Sequence, residues 1–573
     1  MVIARRGVSP DGAVVLNPLE VAESVLGCLP TVVSYPSPSH MVSGVVPASG
    51  MPDVAGGSVV GAFHGTDQYM RVKATKQAEL IVANLKRLDA FPSAHSRFFL
   101  VRQCIAASLV QSARAHGMSP IFNEYSFAPV DEAVIDMVLK MVSETAFDPV
   151  QLRLLSLPLR HGGIGMQRTT QIAAFAWLAG HLKFAEFYRE SFPIAHFVNA
   201  AISVAHADPR TSRYASMVHE AVDSFADLHS RSTLRPHDDQ LDGFVMSVDG
   251  LVDIATKFQQ RCSLLLGKVS VTTITGMLSP VQRLTFDAHQ ARGAAAVFVA
   301  VPTQLSFPSF TDSMFAYILK RRLLISQFSA ASSSTMCNVG GCKCVIGLSH
   351  PESCSASGIL GRRHEALREV VCAMLSSVGL DCDRVDCTKN VLLTARLQAA
   401  KAVNPDGSFV RVGGLVHGAD MIVRGLHQPG DEFALDFTVF SEASRDRALA
   451  SMNPGARRIT PKATLADVEA EKVNLYRRMY ASINVVVKGL AVNLAGGIGP
   501  SLHALIKRCA ELSGDLLPPF ADWSAPTFVA AWSQRMVIAV QSTNACVALR
   551  NFTRALTAAQ VGVGGSVDWL LAR

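Results

Sequence analysis

Charge is scarce in this chain. Asp, Glu, Lys and Arg make up 17% of its 573 residues, and Phe, Trp and Tyr only 7%. Hydrophobic residues reach 49%. So apolar a sequence can bury enough surface to offset its ordering entropy, which excludes disorder over most of the length. Long apolar runs are missing as well. A membrane-spanning helix needs roughly 18 consecutive apolar residues, and none is present. The best candidates are Ala294 to Val301, which runs into Pro302, and Ile483 to Leu494, which Lys488 interrupts. Both read as buried elements. The N-terminus, Met1-Val2-Ile3-Ala4-Arg5-Arg6-Gly7, has charge but no apolar segment after it, so no secretory signal is expected. No repeat period is visible.

A further absence concerns nucleotide polymerisation, which needs a strand-turn-strand with paired aspartates. The only Asp-Asp pair, Asp238-Asp239, follows Arg235-Pro236-His237 and reads as a loop. The chain is therefore not expected to be a polymerase. Its net charge of +7 permits a nucleic-acid partner without demanding one. The clusters Lys320-Arg321-Arg322, Arg362-Arg363 and Arg457-Arg458 are more telling than the total, although a basic cluster is commonly only a solvated face. The twelve cysteines are mostly scattered through helix-like apolar contexts, as at Cys104 and Cys372. That pattern suggests reduced thiols in an intracellular protein.

The length suggests two to four domains. Residues 1–55 read as an irregular segment of short strands and loops. Residues 56–325 read as a helical region, with Leu80, Leu85, Leu88, Phe99, Ile105 and Leu109 at helical spacing. Within it, helices are expected near Val130 to Ser143 and from Thr170 to Lys183. A glycine-rich turn, Leu157 to Gly165, lies between them. Ser329 to Thr335 is a linker, residues 336–358 hold a cysteine cluster, and residues 359–512 alternate helix and strand signals. A tail, 513–573, reads as one or two helices.

In the cluster, Cys337, Cys342, Cys344, His350 and Cys354 fall within eighteen residues. Zinc takes four such ligands in a tetrahedron. Cys337, Cys342, His350 and Cys354 make the most natural set, with Cys344 able to replace Cys342. A knuckle with no vacant position is structural.

The most informative stretch is Gly418-Ala419-Asp420-Met421-Ile422-Val423, then Gln428-Pro429-Gly430-Asp431, then Phe433-Ala434-Leu435-Asp436-Phe437-Thr438-Val439. It reads as a hairpin whose turn is the polar tetrapeptide. One acid opens the first strand and another sits within the second, so antiparallel pairing brings them together. Two carboxylates at one spot repel, and a bridging divalent cation relieves that. The plainer reading is two unrelated surface acids beside a turn.

Upstream, Ile359 to Gly379 is helical, with Leu360, His364, Leu367, Val371, Met374 and Val378 on one face. A histidine there is more simply a buried, hydrogen-bonded core residue than a site residue. Arg362 and Arg363 at the helix start can meet a phosphate backbone. Downstream, a helix from Leu465 to about Tyr480 carries Leu465, Val468, Leu475, Tyr476 and Met479 on its apolar face, with Lys472 in their midst. A lysine there needs a partner, and the acid pair is the obvious one; snorkelling past the helix edge is the alternative. A strand from Ile483 to Val487 and a helix from Ser501 to Leu512 follow.

In this order the segments resemble the restriction-enzyme-like endonuclease end of certain non-LTR retrotransposon polyproteins, within the PD-(D/E)XK nuclease superfamily. The resembling tracts are Gly61 to Met70, Phe99 to Cys104, Leu157 to Gly165, the cysteine knuckle, Arg363 to Arg368, Leu435 to Val439, and Glu471-Lys472 with Tyr476. They span roughly residues 45 to 512. The resemblance implies a helical N-terminal region, a zinc knuckle and a small mixed-sheet nuclease-like domain, a mixed α and α/β fold. It further implies Mg²⁺- or Mn²⁺-dependent nicking of DNA by an element protein without its polymerase, with DNA and possibly element RNA as partners and the nucleus as the workplace. Asp420 and Asp436 take the places of the metal-binding acids. The sequence departs from the pattern at Ala419, where proline is usual, and at Thr438, where lysine is expected; Lys472 is the candidate for that lysine. Arg321, Arg362 and Arg363 are expected to flank the acids on the surface and contact nucleic acid. Two rivals stand beside this: a degenerate remnant that binds nucleic acid without cutting it, and an interaction scaffold built on the helical half.

Overall fold

A computed structural model gives the architecture. It describes residues 56–59, 62–91, 93–187, scattered positions between 217 and 231, 258–302, 310–325, 352, 354, 358–383, 419–441, 464–481, 483–514, 516–522 and 524–561. The chain is largely helical, with a small four-stranded mixed sheet. Among the described residues no helix is long and apolar enough to cross a membrane. Two compact units are present. The first comprises 1–91, 100–140 and 166–273, and the second 92–99, 141–165 and 274–573.

In the first unit, strands β1 (Gly56–Val59) and β2 (Ala62–Gly65) form a hairpin. It leads into helix α1 (Asp67–Leu88), whose N-cap Thr66 accepts from the Tyr69 N–H at 3.3 Å. Ala74, Ala78, Ile81 and Leu85 recur at steps of four, three and four and form its buried stripe. Helices α2 (Val110–His116) and α3 (Thr169–Phe187) pack so closely that a Cβ at Gly117 would collide with the Ala173 carbonyl. Asp131 is buried and accepts from the N–H groups of Thr169 and Thr170 at 2.8 and 3.0 Å, which satisfies the start of α3.

The second unit contains helices α4 (Pro280–His289), α5 (Asp312–Arg322) and α6 (Ile359–Ser377), then strands β3 (Asp381–Asp383), β4 (Met421–Arg424) and β5 (Glu432–Phe440). Helix α7 (Leu465–Ala481), strand β6 (Val486–Asn493) and helices α8 (Pro500–Leu512) and α9 (Phe528–Val561) complete it. Sheet order is β3-β4-β5-β6, antiparallel except for the parallel β5–β6 pair. A parallel pair needs a crossover, and α7 provides it. The β4–β5 turn is the expected one: Gly425 and Gly430 take positive φ (77° and 92°), and the Gln428 N–H donates to the Asp431 carboxylate at 3.0 Å.

Alternation along the strands divides two cores. Met421, Val423, Phe433, Leu435, Phe437, Leu490 and Val492 pack against Leu367, Val371 and Leu375 of α6, Leu502, Leu505 and Ile506 of α8, and Trp532, Met536 and Val540 of α9. Ile422, Ala434 and Val487 meet Tyr476 and Tyr480 of α7 on the other face. Helices on both faces explain why five consecutive β5 residues, Phe433 to Phe437, are buried.

Three expectations change. The tail is not a separate piece, because α9 contributes Phe528, Trp532 and Val540 to the sheet core. The helices before residue 325 do not all fall in one unit, since α4 and α5 belong with the sheet. The last strand begins at Val486 rather than Ile483. The segments 1–55, Asp238-Asp239, the 329–335 linker and Arg457-Arg458 lie outside the described residues.

Glu469 ties α7, β6 and α8 together. It is 2% exposed. Helix α8 starts at Gly499-Pro500 with no capping side chain of its own. Glu469 accepts from the N–H groups of Ser501 at 2.8 Å, Leu502 at 3.3 Å and Ala491 at 3.2 Å. A carboxylate there answers the orphan donors and the positive end of the helix dipole. Glu469→Ala should destabilise the protein by about 1.5–3 kcal/mol, the range for hydrogen bonds to a charged group. Glu469→Gln, which keeps one acceptor oxygen, should lose less. Urea midpoints at unchanged slope measure both, and an alanine variant as stable as wild type would contradict the assignment.

Candidate active site

Register determines where the acids go. Met421 pairs with Leu435 at the end of the antiparallel β4–β5 ladder, and Asp420 and Asp436 are the residues next beyond that pair. The Asp420 N–H donates to the Leu435 carbonyl at 2.9 Å, which holds the chain against β5 one residue before β4 begins. Period-two alternation places Asp436 on the face of Ala434, covered by α7, whereas Asp420, just before β4, is met by His364 of α6. Asp436 is buried, whereas Asp420 lies nearer the surface.

Lys472 reaches this face from α7. Its Nζ lies 2.9 Å from Oδ2 of Asp436. The two are an ion pair, but alignment leaves Oδ2 without a well-directed hydrogen-bond donor. Gly489, the β6 partner of Asp436, makes the approach possible. A Cβ there would collide with the Glu469 carbonyl and stand 2.9 Å from the Lys472 Cβ. Burial pushes the Asp436 carboxyl up to about 6; the Lys472 ammonium works against that shift and the Asp420 carboxylate adds to it.

The fourth member is His364 of α6. Its Nε2 lies 2.8 Å from Oδ2 of Asp420. The Phe437 N–H donates to the same oxygen at 2.7 Å. The hydrogen bond to Asp420 raises the imidazole above its ordinary range, with burial opposing. The pattern that placed His364 on an apolar face read it as a core histidine. It is instead half-buried and joins the acid pair. Leu360, its supposed neighbour on that face, is exposed, and Arg363 takes the buried position.

The arginines correct a second expectation. Arg363 is 1% exposed. Its NH1 donates to the Glu352 carbonyl at 2.8 Å and to Asn544 Oδ1 at 2.9 Å. Arg321 Nε donates to the Glu352 carboxylate at 2.7 Å, and Tyr317 donates to the same oxygen at 2.8 Å. A buried carboxylate draws cations inward because neither charge is tolerable there alone. Arg363 is therefore interior and Arg321 is half-buried and spent on Glu352, and of the expected trio only Arg362 is exposed. Arg322 of the same basic run is buried too and donates to the carbonyls of Gly163 and His289 at 3.0 and 2.8 Å.

Of the knuckle ligands, Cys337, Cys342, His350 and the alternative Cys344 lie outside the described residues, and Cys354 is buried. The acid pair suits a hard divalent ion. On this face of β5 the buried Thr438 Oγ1 has no hydrogen-bond partner among the described residues, and Asp436 Oδ2 has the Lys472 ammonium beside it. Among those residues no three His, Cys, Asp or Glu side chains gather as a ready cage. An ion held here would rest on the two carboxylates and take phosphate or water oxygens for the rest, as Mg²⁺ commonly does. No protein-family model matches the chain, and no curated protein matches it in sequence.

A pH dependence follows for the metal-free protein. The folded Asp436 carboxyl titrates near 6, above the value of about 4 for an unfolded aspartate. The folded state therefore binds more protons between those limits. Its contribution to stability is complete below about pH 4 and is lost as pH rises through about 6. The His364 shift is also upward, so its contribution fades as pH rises beyond the ordinary histidine range. Wild type should lose stability relative to Asp436→Asn between pH 4 and 7. Parallel unfolding midpoints across that interval would count against the assignment.

Proposed function

We propose that this chain is a metal-dependent DNA endonuclease of the PD-(D/E)XK kind, derived from a non-LTR retrotransposon protein. The observation that carries this is the convergence of Asp420, Asp436 and Lys472. The acids lie just beyond the last β4–β5 pair, close enough for the Asp420 charge to act on Asp436, and the lysine ammonium is 2.9 Å from Asp436. The small mixed sheet with helices on both faces is the setting this chemistry uses.

Asp420 and Asp436 would hold Mg²⁺ or Mn²⁺. Such an ion lowers the pKa of a bound water and polarises the phosphate. Lys472, at the rim of the pair, would stabilise charge developing on the phosphate. A structural zinc held by Cys337, Cys342, His350 and Cys354 would brace the segment that carries them. DNA is the proposed partner, with element RNA as a second, and the nucleus the proposed location.

A specific observation favours one rival, a remnant that binds nucleic acid without cutting it. His364 and Lys472 already compensate the two acids, and Thr438 stands where the pattern expects lysine.

Plasmid nicking separates the two. Asp436→Ala should abolish Mg²⁺-dependent nicking while DNA binding stays within about twofold, because it removes a metal ligand and no phosphate contact. Lys472→Ala should slow nicking by about 10²- to 10³-fold, as for loss of one charge-stabilising donor. Nicking that survives Asp436→Ala would place the chemistry elsewhere. A wild-type chain that binds DNA but never nicks it, with either Mg²⁺ or Mn²⁺, would favour the remnant.

The knuckle has its own check. Elemental analysis of purified protein should find about one zinc per chain, since a structural site binds metal as it folds. Protein that folds without zinc would remove this part of the reading.

A further inference from the structure

His364 is the one member of the cluster that the proposed chemistry leaves without a role. Two donors from separate elements converge on a single oxygen of Asp420. The imidazole Nε2 of α6 is 2.8 Å away and the Phe437 N–H of β5 is 2.7 Å away, both on Oδ2. A carboxylate rotates about a broad, roughly two-fold torsion. Two donors on one oxygen stop that rotation and make the two oxygens unequal. Oδ2 is committed to the protein, which leaves Oδ1 for an ion.

The imidazole is itself held in place. The Phe437 ring meets it edge-on, with centroids 6.2 Å apart. The adjacent Arg363 anchors α6 through Glu352 and Asn544 at 2.8 and 2.9 Å. A donor mounted so firmly defines a direction as well as a bond. Groups behind a metal ligand commonly work in this way, without touching the metal.

We infer that His364 is a positioning residue: it fixes the Asp420 carboxylate so that one oxygen is presented to a divalent cation. This rests on the reading of the acid pair as a cation site. Nε2 carries the proton, and the hydrogen bond rather than the imidazole charge does the orienting.

The test uses the full chain without DNA, with Mn²⁺ as the probe and binding followed by calorimetry or electron spin resonance. Wild type should bind Mn²⁺, and Asp436→Ala should not. His364→Ala should weaken binding 10- to 100-fold, the usual cost of losing such a partner. His364→Gln, whose amide can reach the same oxygen, should recover most of the loss. Unfolding midpoints of the metal-free variants report on the fold. If His364→Ala does not fold, His364→Asn, with its shorter reach, replaces it in the comparison with glutamine. Wild-type affinity in the alanine variant overturns the inference while the cation site stands. Equal loss in the alanine and glutamine variants overturns it too, because orientation by a hydrogen bond would then not be the cause. A wild-type chain that binds no Mn²⁺ removes the cation site itself, and this inference with it.

Discussion

Helix α7 comes down onto the sheet at Gly489, and much of the second unit follows from that contact. Any side chain at 489 would strike the Glu469 carbonyl. With only hydrogen there, the helix lies low enough for one stripe of side chains to reach three targets. Glu469 meets the start of α8, Lys472 meets Asp436, and Tyr476 and Tyr480 close over Ile422 and Ala434. The spacing of three, four and four is that of a single helix face. Half of the stripe is charged, which a helix packed on a sheet tolerates only where each charge finds a partner.

The hairpin was legible because its signals are local. Branched residues, a Pro-Gly turn and two acids in fixed phase determine strands, turn and facing side chains without help from the rest of the chain. Lys472 was legible for a related reason, since a charge on an apolar stripe announces a partner. Glu469 was not. On the sequence it is one more acid on a polar helix, and its partners are backbone N–H groups about thirty residues away. The arginines failed in the opposite sense. Arg362 and Arg363 look alike in sequence, yet α6 turns one outward and the other onto Glu352 and Asn544. A difference of about 100° around a helix decides between solvent and core. Leu475 shows the same limit, being 45% exposed on a face that periodicity assigned to the interior.

Both departures from the pattern of the proposed family have a structural setting. Ala419 stands where proline is usual. Its N–H donates to the Tyr480 hydroxyl at 2.7 Å, a buried bond that proline has no hydrogen to make. The bond ties the start of the hairpin to the end of α7 and helps fix the height at which Lys472 arrives. Thr438 stands where lysine is expected, two residues beyond Asp436 and so on the same face. A lysine there and Lys472 would bring two ammonium groups to one small space, and like charges that close are costly. The small hydroxyl at 438 and the lysine on the helix are therefore a matched arrangement.

The charges of the cluster close on themselves. Asp420 and Asp436 repel, and that repulsion is one cause of the raised Asp436 titration. Helix α6 packs on the Leu435 face and α7 on the Ala434 face, so His364 and Lys472 approach the pair from two sides of the sheet. With the imidazole protonated they supply two positive charges to two negative ones. A divalent ion would supply the same charge at one point. The two arrangements are alternative answers to one electrostatic problem, and under the proposed function the protein would pass between them. Lysine suits that passage better than arginine. Its ammonium is a compact charge on a flexible stem, without the planar fork that would lock it to a carboxylate. The group that neutralises Asp436 when no ion is bound could then turn to a phosphate once the ion takes over the acids. The lysine that the strand lacks would in that way be supplied by the helix that Gly489 admits.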